Sequence, residues 1–184
     1  MKPEEKARVK IDQWLTEAGW KVINRDEFEA DSSAVAVREG LLKGNREADY
    51  FLFINGKAVG ILEAKREEID ANKGVVCDQV ETYARGVPSY YTAYQKPIPF
   101  LYTSNGKQHY FHDFRKKDSG YEEIFVMHKP KKLVEMLGIE DPFAGLPTLN
   151  PKGLRACQYE AITGLEKSFR NGQNRALMLS LIHI

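Results

Sequence analysis

The sequence predicts an α/β fold, a central mixed and twisted sheet flanked by helices. Three observations carry this. Segments with apolar residues at helical spacing alternate with short β-branched and aromatic runs. Two pairs of those runs fold about Asn-Gly, at Asn55-Gly56 and Asn105-Gly106, a strong short-range hairpin signal. The chain has 184 residues, 42% hydrophobic and 29% charged, enough for one well-buried domain and part of a second.

In chain order, residues 4–18 place Ala7, Ile11, Trp14, Leu15 and Ala18 at helical spacing, and Gly19 stops the helix. "WKVI" at 20–23 reads as a short strand, residues 24–33 as polar and irregular, and "AVAVREG" at 34–40 as a strand. "LLKGNREA" returns the chain to Asp49 and the first hairpin. Residues 74–85, "GVVCDQVETYAR", suit a helix whose apolar side is Val76, Val80, Tyr83 and Ala84. "PFLYTSNGKQHYFHDF" at 99–114 reads as a second hairpin, with Tyr121 to Met127 as an edge strand. "HKPKKLVEMLG" is a short basic helix, and the Pro-, Gly- and Asn-rich "IEDPFAGLPTLNPKG" is a linker. A new amphipathic helix begins near Leu154, with Ala161, Ile162, Leu165 and Phe169 on one side. The expected divisions are a first domain at 1–140, a linker at 141–153, the start of a second domain at 154–178 and a tail at 179–184.

The formal net charge of +1 excludes a histone-like polycation, so any nucleic-acid contact must come from a local basic patch. No apolar run approaches bilayer length, so no membrane partner is expected. The mixed-charge N-terminus lacks the apolar centre of a signal peptide. Cys77 and Cys157 lie far apart without metal-type spacing, which fits unpaired thiols in a reducing compartment. The cytoplasm is the expected location.

The first hairpin, "EADYFLFINGKAVGILEAKREE", carries charge where a core would take aliphatics: Asp49 opens one strand, and Glu63 and Lys65 close the other. Glu63 and Lys65 are two apart in a strand and leave the same face. Whether Asp49 joins them depends on the turn. A two-residue loop pairs Ile54 with Lys57 and sets Asp49 opposite Leu62, on the wrong face. A three-residue loop ending at a left-handed Gly56 pairs Phe53 with Lys57 and sets Asp49 opposite Ile61, on the face of Glu63. The expected turn is the second. Two carboxylates this close repel unless one is protonated or a cation lies between them. Oxygen ligands suit Mg²⁺, and a lysine beside it would orient a water or offset charge on a phosphate. Solvated charges at a strand edge are the alternative reading of the same residues.

Asp49 followed by Glu63-Ala64-Lys65 resembles the D…E-x-K signature of the PD-(D/E)XK nuclease superfamily, and Gln79 to Tyr83, "QVETY", resembles the Q-x-x-x-Y motif of some of its branches. More narrowly, "READYFLFINGKAVGILEAKRE" with "PFLYTSNG" is similar to the N-terminal domain of the R subunit of type I restriction-modification enzymes, over most of residues 5–140. The resemblance implies a restriction-endonuclease-like fold with Asp49, Glu63 and Lys65 catalytic. It implies Mg²⁺, with Mn²⁺ as a substitute, held by Asp49, Glu63 and the Ala64 carbonyl. Gln79 and Tyr83 would lie over the cleft near DNA phosphates. A further acid is expected earlier in the chain, from Glu39, Glu17 or Glu47, with Glu39 foremost. Ala48 stands where the superfamily's proline would be.

The implied activity is hydrolysis of double-stranded DNA inside a complex with specificity and methylation subunits. Site-specific cutting by this chain alone is not expected. "LRACQYEAITGLEKSFRNGQNRALM" resembles the entry to a superfamily 2 helicase or translocase motor, in which Gln158 would read adenine. No Walker motif follows, so ATP is expected only in a full-length enzyme. The ending "LSLIHI" looks like translated sequencing adapter, which suggests a truncated reading frame. The competing readings are a nuclease-like module that binds DNA or docks on subunits without cutting, and a stand-alone repair or junction-resolving nuclease. "HYFH" is read as surface histidines facing opposite sides of a strand, the Tyr90, Tyr91 and Tyr94 cluster as a packed loop, and the lysines at 116, 117, 129, 131 and 132 as solvated or tracking phosphates.

Overall fold

The apolar runs pair in chain order into one seven-stranded sheet: β1 (Lys21–Ile23), β2 (Ala34–Leu41), β3 (Glu47–Ile54), β4 (Lys57–Ala64), β5 (Phe100–Ser104), β6 (His109–Asp113) and β7 (Glu122–Glu123). The structure is a computed structural model that describes residues 3–29, 33–44, 46–116, 119–138 and 149–170. The tail at 179–184 and most of the linker lie outside the described residues. Pairs β1–β2 and β4–β5 are parallel and the rest antiparallel, so the sheet is mixed, as expected. Helix α2 (Gly74–Arg85), at its expected bounds, lies in the crossover that the parallel β4–β5 pair requires. The edge strand foreseen over Tyr121 to Met127 shrinks to the two residues of β7.

Helices cover both faces. α1 (Pro3–Glu17) and α3 (Pro130–Met136) bury Ile11, Leu15 and Leu133 against Tyr50, Leu52 and Leu62. On the other face α2 buries Val80 and Ala84 against Phe51, Phe53, Ile61 and Leu101. β3 and β4 are therefore buried on both sides, which explains their nearly unbroken apolar runs. Helix α4 (Ala156–Arg170) forms where expected, and among the described residues none of its side chains enters either core cluster.

The hairpin corrects the expected turn. Ile54 pairs with Lys57 across a two-residue turn, and both Asn55 (φ 51) and Gly56 (φ 68) are left-handed, as a type I′ turn requires. Left alone, that turn would put Asp49 opposite Leu62. The register instead shifts by one inside the strands: Phe53 pairs with Ala58 but Leu52 pairs with Gly60, so Val59 is an extra, bulged residue. Phe51 then takes Ile61 and Tyr50 takes Leu62. The face-swap comes from a bulge in β4, not from a three-residue loop, and Ile61 is the partner of Phe51 rather than Asp49.

Candidate active site

Continued by one pair, the register that the bulge sets places Asp49 directly across from Glu63. There a side chain takes over from the backbone ladder: Asp49 Oδ2 accepts the Ala64 N–H at 2.8 Å, which fixes the carboxylate at the strand end. Across β3, Glu39 lies between the pairs Arg38–Tyr50 and Gly40–Ala48 and holds a left-handed φ of 53°. Three acids thus stand in a row over β2, β3 and β4.

Glu63 is 4% exposed. Its Oε1 accepts from Lys65 Nζ at 2.5 Å and from Gln79 Nε2 at 2.8 Å. Gln79 Oε1 accepts from Lys65 Nζ at 3.1 Å, and Nε2 also donates to Tyr83 Oη at 2.6 Å. Gln79 and Tyr83 are one helical turn apart on α2, so both reach the same end of the sheet. All five sequence-singled residues, Asp49, Glu63, Lys65, Gln79 and Tyr83, therefore meet in one place. Asp49, Glu63, Lys65 and Gln79 border a cleft of about 530 Å³ that Arg8, Arg66 and Lys73 also line, whereas Tyr83, expected over the same cleft, sits behind Gln79 and lines a separate pocket with Lys43 and Thr82.

Sequence reasoning missed Arg8. From α1 its guanidinium donates to Asp49 Oδ1 at 2.6 Å and to Glu39 Oε1 at 3.0 Å, joining two of the three acids. Nothing in the sequence marks it among the charged residues of an amphipathic helix. Its bridge does separate the three earlier acids: Glu39 is tied to Asp49 through Arg8, whereas Glu47 pairs with Arg25 and Glu17 accepts from Gln13.

Among the described residues no three His, Cys, Asp or Glu side chains group as a metal site. The donor set is two carboxylates with the Ala64 backbone at the cleft wall. This suits Mg²⁺, which takes one or two protein carboxylates and fills its shell with water and phosphate oxygens. One observation bears directly on fit: Glu63 Oε2 is buried and has no hydrogen-bond partner. A carboxylate oxygen in that state is costly unless a proton or a cation meets it.

The electrostatics agree. Burial first, then the nearby Asp49 charge, push the Glu63 carboxyl up from 4.5 to about 7, and Lys65 offsets this only in part. The neutral form is thus favoured in the fold. Its stabilising effect is full below about 4.5 and is lost as pH rises through about 7. Without divalent cations, Glu63→Gln should gain stability over the native chain on going from pH 5 to pH 8, on the order of 3 kcal/mol. His109, which burial holds down at about 4, slopes the other way below its usual range, so the comparison with Glu63→Gln is what isolates the carboxylate. Parallel urea melts of the two chains at both pH values, with chelator present, check this. Equal pH slopes would contradict it.

The other features are structural. His109 and His112 face opposite sides of β6 as expected, but neither is a surface histidine: His109 stacks on Trp14 with centroids 3.8 Å apart, and His112 is buried beside Tyr121. Tyr91 packs on Phe51 and Phe53, Tyr94 lies under Lys57, and Tyr90 is exposed. Gln158 accepts the Arg155 N–H at 2.9 Å at the start of α4, and Lys117 lies outside the described residues. Cys77 is buried and Cys157 exposed, both as free thiols. No described helix is long and apolar enough to cross a membrane.

The chain is similar to several known proteins. The chain is 27% identical to the type I restriction enzyme EcoKI endonuclease subunit of Escherichia coli (strain K12), over 95% of this chain and 20% of that protein. It thus spans about a fifth of that relative's length. Among solved structures it is similar to a fragment assigned to an HsdR subunit of a type I restriction enzyme from Vibrio vulnificus YJ016, at 20% identity and a TM-score of 0.47, covering 78% of this chain and 27% of that one. It is also similar to the type IIG restriction endonuclease BpuSI, at 20% identity and a TM-score of 0.43, covering 73% of this chain and 15% of that one. The family model for the type I restriction enzyme R protein N terminus matches residues 37–120, the span that holds Asp49, Glu63, Lys65, Gln79 and Tyr83. What that segment is similar to is thus the N terminus of a type I restriction enzyme R protein.

Proposed function

We propose that this chain carries the Mg²⁺-dependent endonuclease domain of a type I restriction R subunit and hydrolyses phosphodiesters of double-stranded DNA. One observation carries the reading: Asp49 faces Glu63 in a cleft, and Lys65 and Gln79 are hydrogen-bonded to Glu63. Asp49 and Glu63 would hold the cation with the Ala64 carbonyl. When bound, the cation would polarise the phosphodiester and supply a more acidic water.

The chain's own residues do the rest. Glu63 and Gln79 engage two of the three Lys65 N–H groups. That fixes the ammonium beside the carboxylates, where the third can orient the attacking water or meet charge building on phosphate oxygen. Gln79 couples Lys65 to Tyr83, so a phosphate gripped by the tyrosine would lie in register with the lysine. Arg66 and Lys73 give the cleft wall a positive lining that suits a DNA backbone, although the whole chain is near neutral. In this reading the domain is 1–140, residues 154–178 begin an ATP-driven motor, and specificity and methylation subunits select the DNA.

Millimolar Mg²⁺ or Mn²⁺ should raise the unfolding midpoint of the chain. The gain is about 2.7 kcal/mol at a hundredfold excess over Kd, and Asp49→Ala and Glu63→Ala should both remove it. Thermal melts with and without cation check this. A shift that survives both substitutions places the cation elsewhere and sinks the reading. The Arg8–Asp49 ion pair favours one competing reading, a nuclease-like module that binds DNA without cutting. Cleavage by the complete enzyme separates the two.

A further inference from the structure

Arg8 is on α1, and α1 packs on the face of the sheet opposite α2. Asp49 and Glu63 belong with the α2 side, since Phe51 and Ile61, two residues from them in their strands, pack there. The guanidinium therefore reaches around the end of the sheet to meet Asp49. It is held by two carboxylates from two strands, Glu39 on β2 and Asp49 on β3. The two ends differ in burial: the Glu39 side chain is 55% exposed and that of Asp49 16%. Glu39 also takes a left-handed backbone conformation that an L residue with a side chain adopts only under local constraint.

From this placement we infer that Arg8 is a positioning residue that acts as an exchangeable counter-ion. It holds Asp49 in the cation-free protein, competes with the divalent cation for Asp49, and stays anchored through Glu39 when the cation takes over. The inference rests on the cation-dependent reading above. Three features support it. Asp49 Oδ1 is occupied by the guanidinium while Oδ2 is fixed to the Ala64 N–H, so one oxygen is constrained by the fold and the other by a group that can move. Arg8 is 38% exposed, so release from Asp49 leaves the charge in contact with water rather than buried. Glu39 supplies a second acceptor, so the side chain keeps a partner after release.

A guanidinium beside two carboxylates opposes a second cation by Coulomb repulsion as well as by occupying an oxygen. Neutralising it should therefore tighten cation binding, whereas a residue that merely braced α1 would loosen binding when removed. The test is calorimetric titration of Mn²⁺ into the intact chain at pH 8 for the native protein, Arg8→Gln, Arg8→Lys and Asp49→Asn. The expected result is Mn²⁺ binding that Asp49→Asn abolishes and that Arg8→Gln tightens roughly tenfold. Arg8→Lys, which keeps the charge but cannot span both acids as well, should fall between the native chain and Arg8→Gln. Equal or weaker binding by a folded Arg8→Gln overturns the role of Arg8 and leaves the nuclease reading standing. Absence of Mn²⁺ binding in both the native chain and Arg8→Gln overturns both.

Discussion

On the proposed nuclease reading, Lys65→Ala in the complete enzyme should abolish DNA cleavage while leaving cation binding at the hairpin intact. The separation follows from what each side chain contacts. Lys65 touches Glu63 and Gln79 through Nζ and supplies no oxygen to a metal, whereas Asp49 and Glu63 supply the carboxylates. Removing Lys65 lifts the Glu63 carboxyl further, since the ammonium holds it down, but it also takes away a positive charge that repels a cation at that carboxylate, so the bound cation keeps its ligand. Losing a donor aimed at developing charge costs on the order of 10²–10³ in kcat for one contact. Removing the ammonium should exceed that, because Gln79 Oε1 loses its donor as well. Asp49→Ala and Glu63→Ala should instead lose both cation binding and cleavage. Plasmid cleavage under the native enzyme's conditions, alongside Mn²⁺ titration, reads out the two effects. A Lys65→Ala complex that cuts at the native rate removes the lysine from the chemistry.

Much of this geometry was legible in the sequence, and the exceptions have physical causes. The helices and strands announced themselves by period, and α2 fell at its expected bounds because Gly74 and Gly86 frame a clean apolar stripe. The two hairpins announced themselves by Asn-Gly. The hairpin's register did not. In "KAVGIL" both faces are buried, so there is no polar–apolar alternation whose phase could reveal one extra residue. The expected three-residue loop reached the right face by the wrong device: the turn at Asn55-Gly56 is the tighter one, and Val59 supplies the slip. The histidines of β6 read as surface residues because their neighbours in the strand alternate weakly. Trp14, 95 positions away in the chain, is what covers His109. Arg8 was hidden for the same reason, since its partners lie 31 and 41 residues away. Long-range charge pairing leaves no local mark.

The bulge leads to a second large effect, at Gly60. This residue stands beside Val59 and is paired on both sides, with Leu52 in β3 and with Phe100 in β5. A Cβ at Gly60 would lie 3.0 Å from the Phe100 carbonyl oxygen and 3.1 Å from Leu52 Cδ1. The leucine tip can move, but the carbonyl belongs to a buried parallel strand and cannot yield without opening the β4–β5 pairing. Overpacking of this kind costs about 1–3 kcal/mol for one methyl. Gly60→Ala should therefore lower the unfolding free energy by that amount, read as a lower urea midpoint with an unchanged m value. Gly60→Val, with two further methyls against the same wall, should lose more. Gly74→Ala, where a Cβ meets nothing within 4 Å, is the control and should stay within about 0.5 kcal/mol of the native chain. The damage should also reach the cleft, because the same ladder continues from Gly60–Phe100 to Glu63–Thr103. A displaced β4 moves Glu63 away from Asp49, so Gly60→Ala should lose part of the cation-induced stabilisation that Gly74→Ala keeps. A Gly60→Ala chain with the native midpoint and the native cation response would show that β5 gives way freely, and that the bulge does not depend on a glycine.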